Sequence, residues 1–203
     1  MIKRNFQQEL NELIAQLSQE QRKPKLLLHS CCAPCSSYCI EYLSQYFELT
    51  IFFYNPNIHP KAEYEKRLSW QNYLLEELPA AKNITLIAGE YIPETFFTKI
   101  KGWETEKEGG KRCEVCYSMR LEESAKTAKV GLFDYFSTVL TISPHKNAQT
   151  INILGEEIGK KYGIKFLTAD FKKNNGYLQS LNLCKTYNLY RQNYCGCTFS
   201  QVD

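Results

Sequence analysis

The sequence lacks the features that mark membrane, secreted and low-complexity proteins. No stretch of the chain approaches the roughly 18 uninterrupted apolar residues of a membrane-spanning helix. The start of the chain, MIKRNFQQEL, contains no apolar core of signal-peptide length. Low-complexity tracts, internal repeats and dividing linkers are also missing. These absences predict a soluble, cytoplasmic protein that forms a single domain over residues 1–203 and does not bind membranes.

A strong excess of charge of either sign is missing as well. Lys and Arg number 25 and Asp and Glu number 22, which gives a formal net charge of +3. Such a balance is compatible with a local basic patch for RNA without requiring one. A chain of this length buries roughly 70% of the surface that it would expose when unfolded, so we expect it to fold without disulfide bonds.

Histidine is scarce, at three residues, whereas cysteine is abundant, at nine. Disulfide frameworks are disfavoured in a reducing cytosol, so clustered cysteines indicate metal or redox chemistry. Cys39 and Cys184 fall inside predicted helices and are interpreted as small buried core residues. The other seven form three groups along the chain: Cys31, Cys32 and Cys35; Cys113 and Cys116; Cys195 and Cys197.

Predicted strands and helices alternate through nearly the whole chain. Apolar spacing predicts an amphipathic helix within residues 1–24, and β-branched and aromatic runs predict five strands at 26–30, 48–55, 83–89, 134–140 and 164–170. Helices are predicted at about 36–47, 62–78, 114–129, 147–161 and 178–190, with an irregular excursion over 91–112 near the site. This alternation predicts an α/β fold in which helices cover both faces of a parallel sheet and ligands bind at the carboxyl ends of the strands.

The first cysteine group directly follows the first predicted strand, where open α/β sheets usually hold a phosphate. The glycines of a phosphate loop are missing there, so thiols indicate a metal site instead. The C-x-x-C of the second group stands at a predicted helix start, which favours thiolates, and Gly196 permits a tight turn in the third group. At one end of a parallel sheet all three groups can meet. Seven thiols exceed one structural zinc site and suit a metal cluster with a second metal.

Six motifs occur in an order that resembles a known family. They are HSCCAPC, NPNIHPKAEYEKR, GKRCEVCYSMRLEESA, SPHKN, ADFKK followed by GY, and YRQNYCGC. Together they resemble the QueH-type, cobalamin-independent epoxyqueuosine reductases over residues from about 25 to 200. The resemblance implies a Rossmann-like fold and the two-electron reduction of epoxyqueuosine to queuosine in tRNA.

The same resemblance implies a 4Fe-4S cluster and a nearby mononuclear iron, whose place zinc can take after aerobic purification. The cluster ligands would be Cys31, Cys32, Cys113 and Cys116, and the ligands of the second iron would be Cys35, Cys195 and Cys197. How Cys31 and Cys32 divide between the two centres stays open. Some family members carry Asp at the position of Cys35, so this chain would offer the second metal a thiolate where those members offer an oxygen.

Proton donors for the reaction are sought among Asp170, His29 and Tyr194, because each borders a strand end or a cysteine motif. His29 has an equally good interpretation as a core histidine with satisfied hydrogen bonds. His59 and His145 are interpreted as polar loop residues.

The RNA substrate calls for basic side chains near the site, because phosphate contacts dominate binding to nucleic acids. Candidates are Lys99, Lys101, Lys107, Lys111, Arg112, Lys172, Lys173 and Arg191, any of which can also be ordinary surface charge. No flavin or nicotinamide fingerprint is present in the sequence. We therefore expect electrons to come from a separate donor protein.

Two other classes of protein share part of this pattern. A zinc-holding RNA-binding module without catalysis would explain clustered cysteines and basic loops, but one structural zinc needs only four ligands. A thiol–disulfide oxidoreductase would hold no metal and would expose a reactive cysteine. Thioredoxin-like proteins carry their C-x-x-C after the first strand, whereas Cys113 and Cys116 lie in mid-chain. Iron with acid-labile sulfide would distinguish the reductase from both.

Overall fold

Five parallel strands form the centre of the molecule. The structure is a computed structural model and describes residues 4–201. Across the sheet the order is β3-β2-β1-β4-β5, and every neighbouring pair is parallel. The strands are β1 Lys25–His29, β2 Glu48–Phe53, β3 Thr85–Ala88, β4 Tyr135–Thr138 and β5 Lys165–Phe166. The predicted α/β fold with a parallel sheet is confirmed, and the strand order is that of a Rossmann-like sheet.

Helices join the strands and cover the sheet. They are α1 Phe6–Gln19, α2 Ala33–Leu43, α3 Lys61–Glu77, α4 Pro93–Lys99, α5 Lys111–Val130, α6 Ala148–Tyr162 and α7 Gly176–Thr186. In β1 the last four residues are all buried, which requires helices on both faces of the sheet. Among residues 4–201, no helix has both the length and the apolar character needed to cross a membrane.

The first helix is amphipathic and closes one side of the core. Asn5 caps it by accepting a hydrogen bond from the backbone N–H of Gln8. Four apolar side chains at helical spacing are buried beneath it: Phe6, Leu10, Ile14 and Leu17. The first three residues of the predicted segment 1–24 lie outside the described part of the chain.

The segment 91–112 differs from the irregular excursion expected from the sequence. It contains helix α4, which has Pro93 at its start and buries Phe96, while Ile100 at its end is buried as well. The spacing of these two apolar residues fits a single helical face, and Pro is favoured in a first turn. Glycines and charges in the rest of the segment concealed this short helix in the sequence pattern.

The fifth strand is shorter than the predicted 164–170, because its backbone ladder ends with the bond from the N–H of Leu167 to the carbonyl of Phe136, and side chains replace the ladder beyond it. Asn152, fully buried in α6, donates to the carbonyl of Ala169 and accepts from its N–H, at 2.8 and 2.9 Å. The hydroxyl of Ser137 donates to the carbonyl of Leu167 at 2.8 Å. Residues 167–170 are therefore held to the sheet without belonging to it.

The strand order places the functional end of the sheet between β1 and β4. The connections leave in opposite directions from these two neighbours, which makes their carboxyl ends the point where open α/β sheets bind ligands. After β1 the chain passes through Ser30 into the first cysteine group and α2. After β4 it enters a short 3-10 turn, Val139–Ile142.

Candidate metal centre

Three sulfurs of the first cysteine group lie together at the carboxyl end of β1. The Sγ atoms of Cys31, Cys32 and Cys35 all lie within 4.8 Å of one another, and those of Cys31 and Cys32 are 3.8 Å apart. Thiolates about 2.3 Å from one tetrahedral metal are separated from each other by about 3.8 Å. Cys32 precedes the first residue of α2 and Cys35 lies in its first turn, so the backbone of the turn brings the three together. This arrangement fits soft metal coordination.

A buried polar network fixes the turn that carries these thiols. The hydroxyls of Ser30 and Ser36 both donate to Oε1 of Gln71 in α3, each at 2.7 Å. Asn55, in the loop after β2, donates to the carbonyl of Ser30 at 2.8 Å. Because all of these groups are buried, their hydrogen bonds are strong determinants of position. The turn is therefore rigid before any ligand binds.

The pKa values of the three thiols are shifted in different directions. Hydrogen bonding to Cys32 raises the pKa of Cys31, and hydrogen bonding to both neighbours raises the pKa of Cys35. Burial disfavours the charged form of Cys32, but its hydrogen bonds with Cys31 and Cys35 outweigh burial, and Arg67 adds to them, so its pKa is lowered well below the ordinary value. The charge of one thiolate is thus stabilised by its two neighbours. Coordination of all three would release the remaining protons.

The second cysteine group lies in the first turns of α5. The backbone N–H of Gly109 donates to the sulfur of Cys113 at 3.3 Å. Cys116 is buried in a small apolar cluster with Cys197, Phe96 and Met119. Burial raises the pKa of Cys116 to about 12, although the nearby guanidinium of Arg120 opposes the shift. A metal is the usual means by which such a buried thiol becomes a thiolate.

The third group is positioned by contacts with α3 and with the loop before it. Arg67 donates to the carbonyls of Cys195 and Tyr194, at 3.0 and 3.4 Å. Gly196 has φ +127, and a Cβ there would lie 2.9 Å from Ile58, so the tight turn requires glycine. The carbonyl of Gly196 also accepts from the N–H of His59 at 2.9 Å. The C-terminal loop is thereby fixed across the mouth of the site.

The structure brings the three groups into one region but not into one close set. Among residues 4–201, only Cys31, Cys32 and Cys35 meet within 4.8 Å. Burial is the main cause of the raised pKa of Cys113 and of Cys116, and the charge of Cys195 adds to it, which places Cys195 near the second group. Cys35 therefore stands with Cys31 and Cys32. Its assignment beside Cys195 and Cys197, which the family resemblance implied, stays a prediction.

Three cations surround the thiols, and sequence reasoning missed all of them. They are Arg67, Arg120 and Lys146. Arg120 is 1% exposed, donates to the carbonyl of Cys116 at 3.2 Å, and has a buried Nη2 without a partner among residues 4–201. Burial opposes the charge of Arg120, but nearby thiolates of Cys116, Cys195 and Cys31 raise its pKa.

The charge balance of this region is that of a thiolate-bound metal centre. A buried arginine without a carboxylate partner is costly unless another anion compensates it. Lys146 is half-buried, and Cys195, Cys31 and Cys35 likewise raise its pKa against the effect of burial. Several thiolates retain net negative charge when they bind iron or zinc, and these cations match it. The residues present therefore fit a metal or cluster. Of the three cations, only Arg120 could have been found from the sequence, because it lies one helical turn after Cys116 on the same helix face.

A cavity of about 330 Å³ opens beside the thiols. Side chains from the loops after β1 and β4, from α5 and α7, and from the C-terminal loop line it. Its walls combine thiols, cations and polar groups, and include Cys31, Cys35, Arg120, Lys146, Tyr194 and Cys195. A small polar ligand in this cavity would contact the sulfur groups directly. We call it the thiol cavity.

The three candidate proton donors lie in different surroundings. Tyr194 lines the thiol cavity, and its hydroxyl donates to the carbonyl of His59 at 3.0 Å. Asp170 is not among the residues that line this cavity; it pairs with Lys172 at 2.5 Å beside a second cavity. Of the three candidates, only Tyr194 lines the thiol cavity.

His29 is fully buried at the end of β1. Its Nε2 lies 3.1 Å from the carbonyl of Tyr54, which can only accept, so Nε2 carries the proton. Its Nδ1 accepts from the hydroxyl of Thr138 at 2.8 Å. Burial and the charge of Arg120 lower the pKa of His29 to about 4. The imidazole is therefore neutral at pH 7, with both nitrogens satisfied.

The two cysteines interpreted as core residues are both buried. Cys39 is fully buried and donates to the carbonyl of Cys35 at 3.4 Å. Cys184 is buried in α7, where its side chain also forms part of the wall of the thiol cavity. Neither belongs to the close set of three sulfurs.

Comparison with known proteins shows which family the chain is similar to. Residues 26–203 match a family model described as epoxyqueuosine reductase QueH. Similar proteins with that name include one from Staphylococcus epidermidis, 46% identical over 98% of this chain and 85% of the relative. Another, from Streptococcus pyogenes, is 42% identical over 97% of this chain and 78% of the relative. A third, from Thermotoga maritima, is 38% identical over 88% of this chain and 91% of the relative.

Proposed function

The chain belongs to the epoxyqueuosine reductase QueH family, and on that premise we infer that it is an oxidoreductase of queuosine biosynthesis that reduces epoxyqueuosine to queuosine in tRNA. The observation that carries the proposal is the set of three sulfurs within 4.8 Å at the carboxyl end of β1. Two of these sulfurs, those of Cys31 and Cys35, line a cavity. A reductase without an obvious organic cofactor site needs such a redox centre.

We propose that the seven clustered cysteines hold a 4Fe-4S cluster and an adjacent mononuclear iron. Cys113, Cys116, Cys31 and Cys32 are the proposed cluster ligands, and the second iron is assigned to Cys35, Cys195 and Cys197. The sulfurs of Cys31 and Cys32 are 3.8 Å apart, a spacing that fits two ligands of one metal, so both can belong to the same centre, and how the pair divides between the two centres stays open. When bound, such a centre supplies electrons singly and a Lewis-acidic metal for the epoxide oxygen.

The protein's own groups bind the substrate and supply protons. Reduction of the epoxide to an alkene consumes two electrons and two protons and releases water. Lys146 and Arg120 place positive charge on the wall of the thiol cavity, where it stabilises negative charge on the departing oxygen. The ammonium of Lys146 is the proposed proton donor at this wall, and the hydroxyl of Tyr194 would have to release the carbonyl of His59 before it donates there as well. Asp170 and His29 do not line the thiol cavity, so they would pass protons to a substrate there only through intervening groups.

The proposed partners are the tRNA and a separate electron-donor protein. Lys101 and Lys107 are exposed near the second cysteine group, and Arg191 lines the thiol cavity, which supports phosphate contacts from these side chains. Arg112 is less suited to this role, because it is buried and donates to the carbonyl of Glu104 at 2.7 Å. The nine unpaired cysteines suit a reducing cytoplasm, which is the proposed location.

The test is metal analysis joined to turnover on protein purified without oxygen. About four sulfides with four to five irons per chain are expected for the proposed centres. Queuosine should form from epoxyqueuosine-containing tRNA in the presence of a chemical reductant, as measured by mass spectrometry of the digested nucleosides. The Cys116→Ser variant should lose iron, sulfide and turnover, whereas Cys39→Ala, a matched buried cysteine outside the cavity, should keep all three.

Other outcomes would contradict the proposal. Zinc without sulfide, unchanged after attempted cluster reconstitution, would favour a zinc-holding RNA-binding module. A metal-free protein that catalyses disulfide exchange would favour a thiol–disulfide oxidoreductase. Full turnover by the Cys116→Ser variant would remove the proposed cluster from the mechanism.

A further inference from the structure

A second cavity, of about 610 Å³, lies next to the thiol cavity. It is formed by the first turns of α1 and α6 and by the segment 170–174. Seven of its fourteen lining residues carry a side-chain amide, so we call it the amide cavity. Lys146 lines both cavities and separates them. A ligand that extends past Lys146 from one cavity would enter the other.

The charges around the amide cavity favour an anion. Among the described residues, four cations and a single carboxylate line it. That carboxylate, Asp170, is neutralised by Lys172 at 2.5 Å, and Arg4 is held by Glu9 and Glu156 on the outside, each at 2.6 Å. Lys173 is exposed and has no ion pair within residues 4–201, so its charge remains for a ligand. Lys146 also lines this cavity and shares its charge between the two cavities.

The amides favour a ligand that carries hydrogen-bond donors and acceptors. Gln7 is only 6% exposed, and its Nε2 donates to Asn11 at 3.1 Å. Its carbonyl oxygen Oε1 is buried and has no donor among residues 4–201. A buried acceptor left unpaired is costly, so a shift of this side chain toward the cavity would let a donor on a ligand pair with Oε1. Amide side chains pair well with base edges and with ribose hydroxyls.

Stacking on aromatic rings contributes little here. Within residues 4–201, Phe6 is the only aromatic side chain that lines the amide cavity, and the guanidinium of Arg4 lies over its ring at 4.5 Å. A base in this cavity would therefore be recognised through hydrogen bonds rather than through stacking. Recognition of that kind depends on the identity of the base, whereas stacking tolerates every base.

We propose that the amide cavity binds the nucleotide next to the reacting one in the RNA, with the phosphate that joins them between Lys146 and Lys173. The inference rests on the proposed function, because it requires the modified base to occupy the thiol cavity. Helix α1 supplies the amide side of this site, although it precedes the part of the chain that the family model matches, residues 26–203. Splayed bases of single-stranded loops commonly enter separate protein pockets in this way.

The test uses an anticodon stem-loop RNA that carries epoxyqueuosine and protein purified without oxygen. The Lys173→Gln variant should bind this RNA several-fold more weakly, and its slope of log affinity against log salt should fall by about 1. Lys82→Gln, which removes an exposed lysine near the opposite end of the sheet, should match the wild type. Gln7→Met keeps the side-chain volume and should reduce discrimination among stem-loops that differ only at the flanking nucleotides.

Two results would overturn the proposal. One is an unchanged affinity and salt slope in Lys173→Gln, and the other is equal discrimination among flanking nucleotides by the wild type and Gln7→Met. Binding is measured without turnover, so the proposed function fails separately, by an absence of queuosine in the wild-type reaction. Loss of discrimination in Lys82→Gln as well would show that the effect is not specific to the amide cavity.

Discussion

Replacing Arg67 by Met should loosen the loop that carries Cys195 and Cys197. Arg67 is 1% exposed and forms an ion pair with Glu63 at 2.7 Å. It also donates to the carbonyl of Cys195 at 3.0 Å, and its guanidinium lies 5.0 Å from the ring centre of Tyr194. Methionine retains most of the apolar volume but makes none of these polar contacts. The change therefore isolates the contribution of the guanidinium.

The size of the effect follows from those contacts. A buried hydrogen bond from a charged donor contributes about 2 kcal/mol, and a buried ion pair that loses one partner costs about 3 kcal/mol. Tyr190 also donates to the carboxylate of Glu63, at 3.1 Å, which reduces the second cost. We expect Arg67→Met to lower the free energy of unfolding by about 4 kcal/mol. Arg67→Lys keeps the positive charge but lacks the planar guanidinium with its several donors. It should lower the free energy of unfolding by about half as much.

Urea unfolding of the reduced, metal-free protein measures the loss, and iron content after reconstitution measures the positioning of Cys195. Arg22→Met is the matched control, because Arg22 pairs with Glu20 at 3.6 Å on the surface and should cost less than about 0.5 kcal/mol. A loss below about 1 kcal/mol in Arg67→Met, together with wild-type iron content, would refute the reasoning.

Three further changes test other parts of the structure. Asn152→Leu leaves the N–H and carbonyl of Ala169 unpaired and should cost about 3 kcal/mol in urea unfolding. His29 has a pKa of about 4 when folded against about 6.5 when unfolded, so only the unfolded chain binds a proton between these values and stability falls as pH is lowered through them. His29→Gln should remove about 3 kcal/mol of that pH dependence in the metal-free protein. Arg120→Met removes a buried cation beside Cys116 and should speed iron loss to a chelator.

Each of these three expectations has a contrary result. If Asn152→Leu lowers the free energy of unfolding by less than about 1 kcal/mol, the backbone of Ala169 has found other hydrogen-bond partners. Equal pH dependence in the wild type and His29→Gln would mean that His29 titrates normally in the folded protein. Unchanged iron release in Arg120→Met, with Arg22→Met again as the control, would remove Arg120 from the charge balance of the centre.

The sequence predicted the layers of the fold better than the lengths of its elements. Alternating apolar runs fix strand and helix type, which is why the parallel α/β sheet was foreseen. The shortening of β5 was not, because it depends on Asn152 in a distant helix replacing the ladder at Ala169. Helix α4 was missed because glycines and charges around it mask a single turn of apolar spacing at Phe96 and Ile100.

The site was foreseen in its residue types and less so in its geometry. Pairing of cysteines as C-C, C-x-x-C and C-x-C predicts metal chemistry from local spacing alone. The cations Arg67 and Lys146 carry no comparable signal, because a charge that is buried in the fold reads as an ordinary surface charge in the sequence. Of the proton-donor candidates, His29 proved to be buried with both nitrogens bonded, and Asp170 to be paired beside the other cavity.

By itself, the sequence determined the α/β class, the three cysteine groups and the family, since all of these follow from residues close together along the chain. Tertiary structure alone decided which sulfurs meet, which cations compensate them, and that Lys146 stands between two cavities. The positions of the cations and of the third cysteine group depend on contacts between segments far apart in the chain, such as that between Arg67 and Cys195. Local propensities cannot specify such contacts, because their energy arises only when the packed core excludes water and brings the segments together.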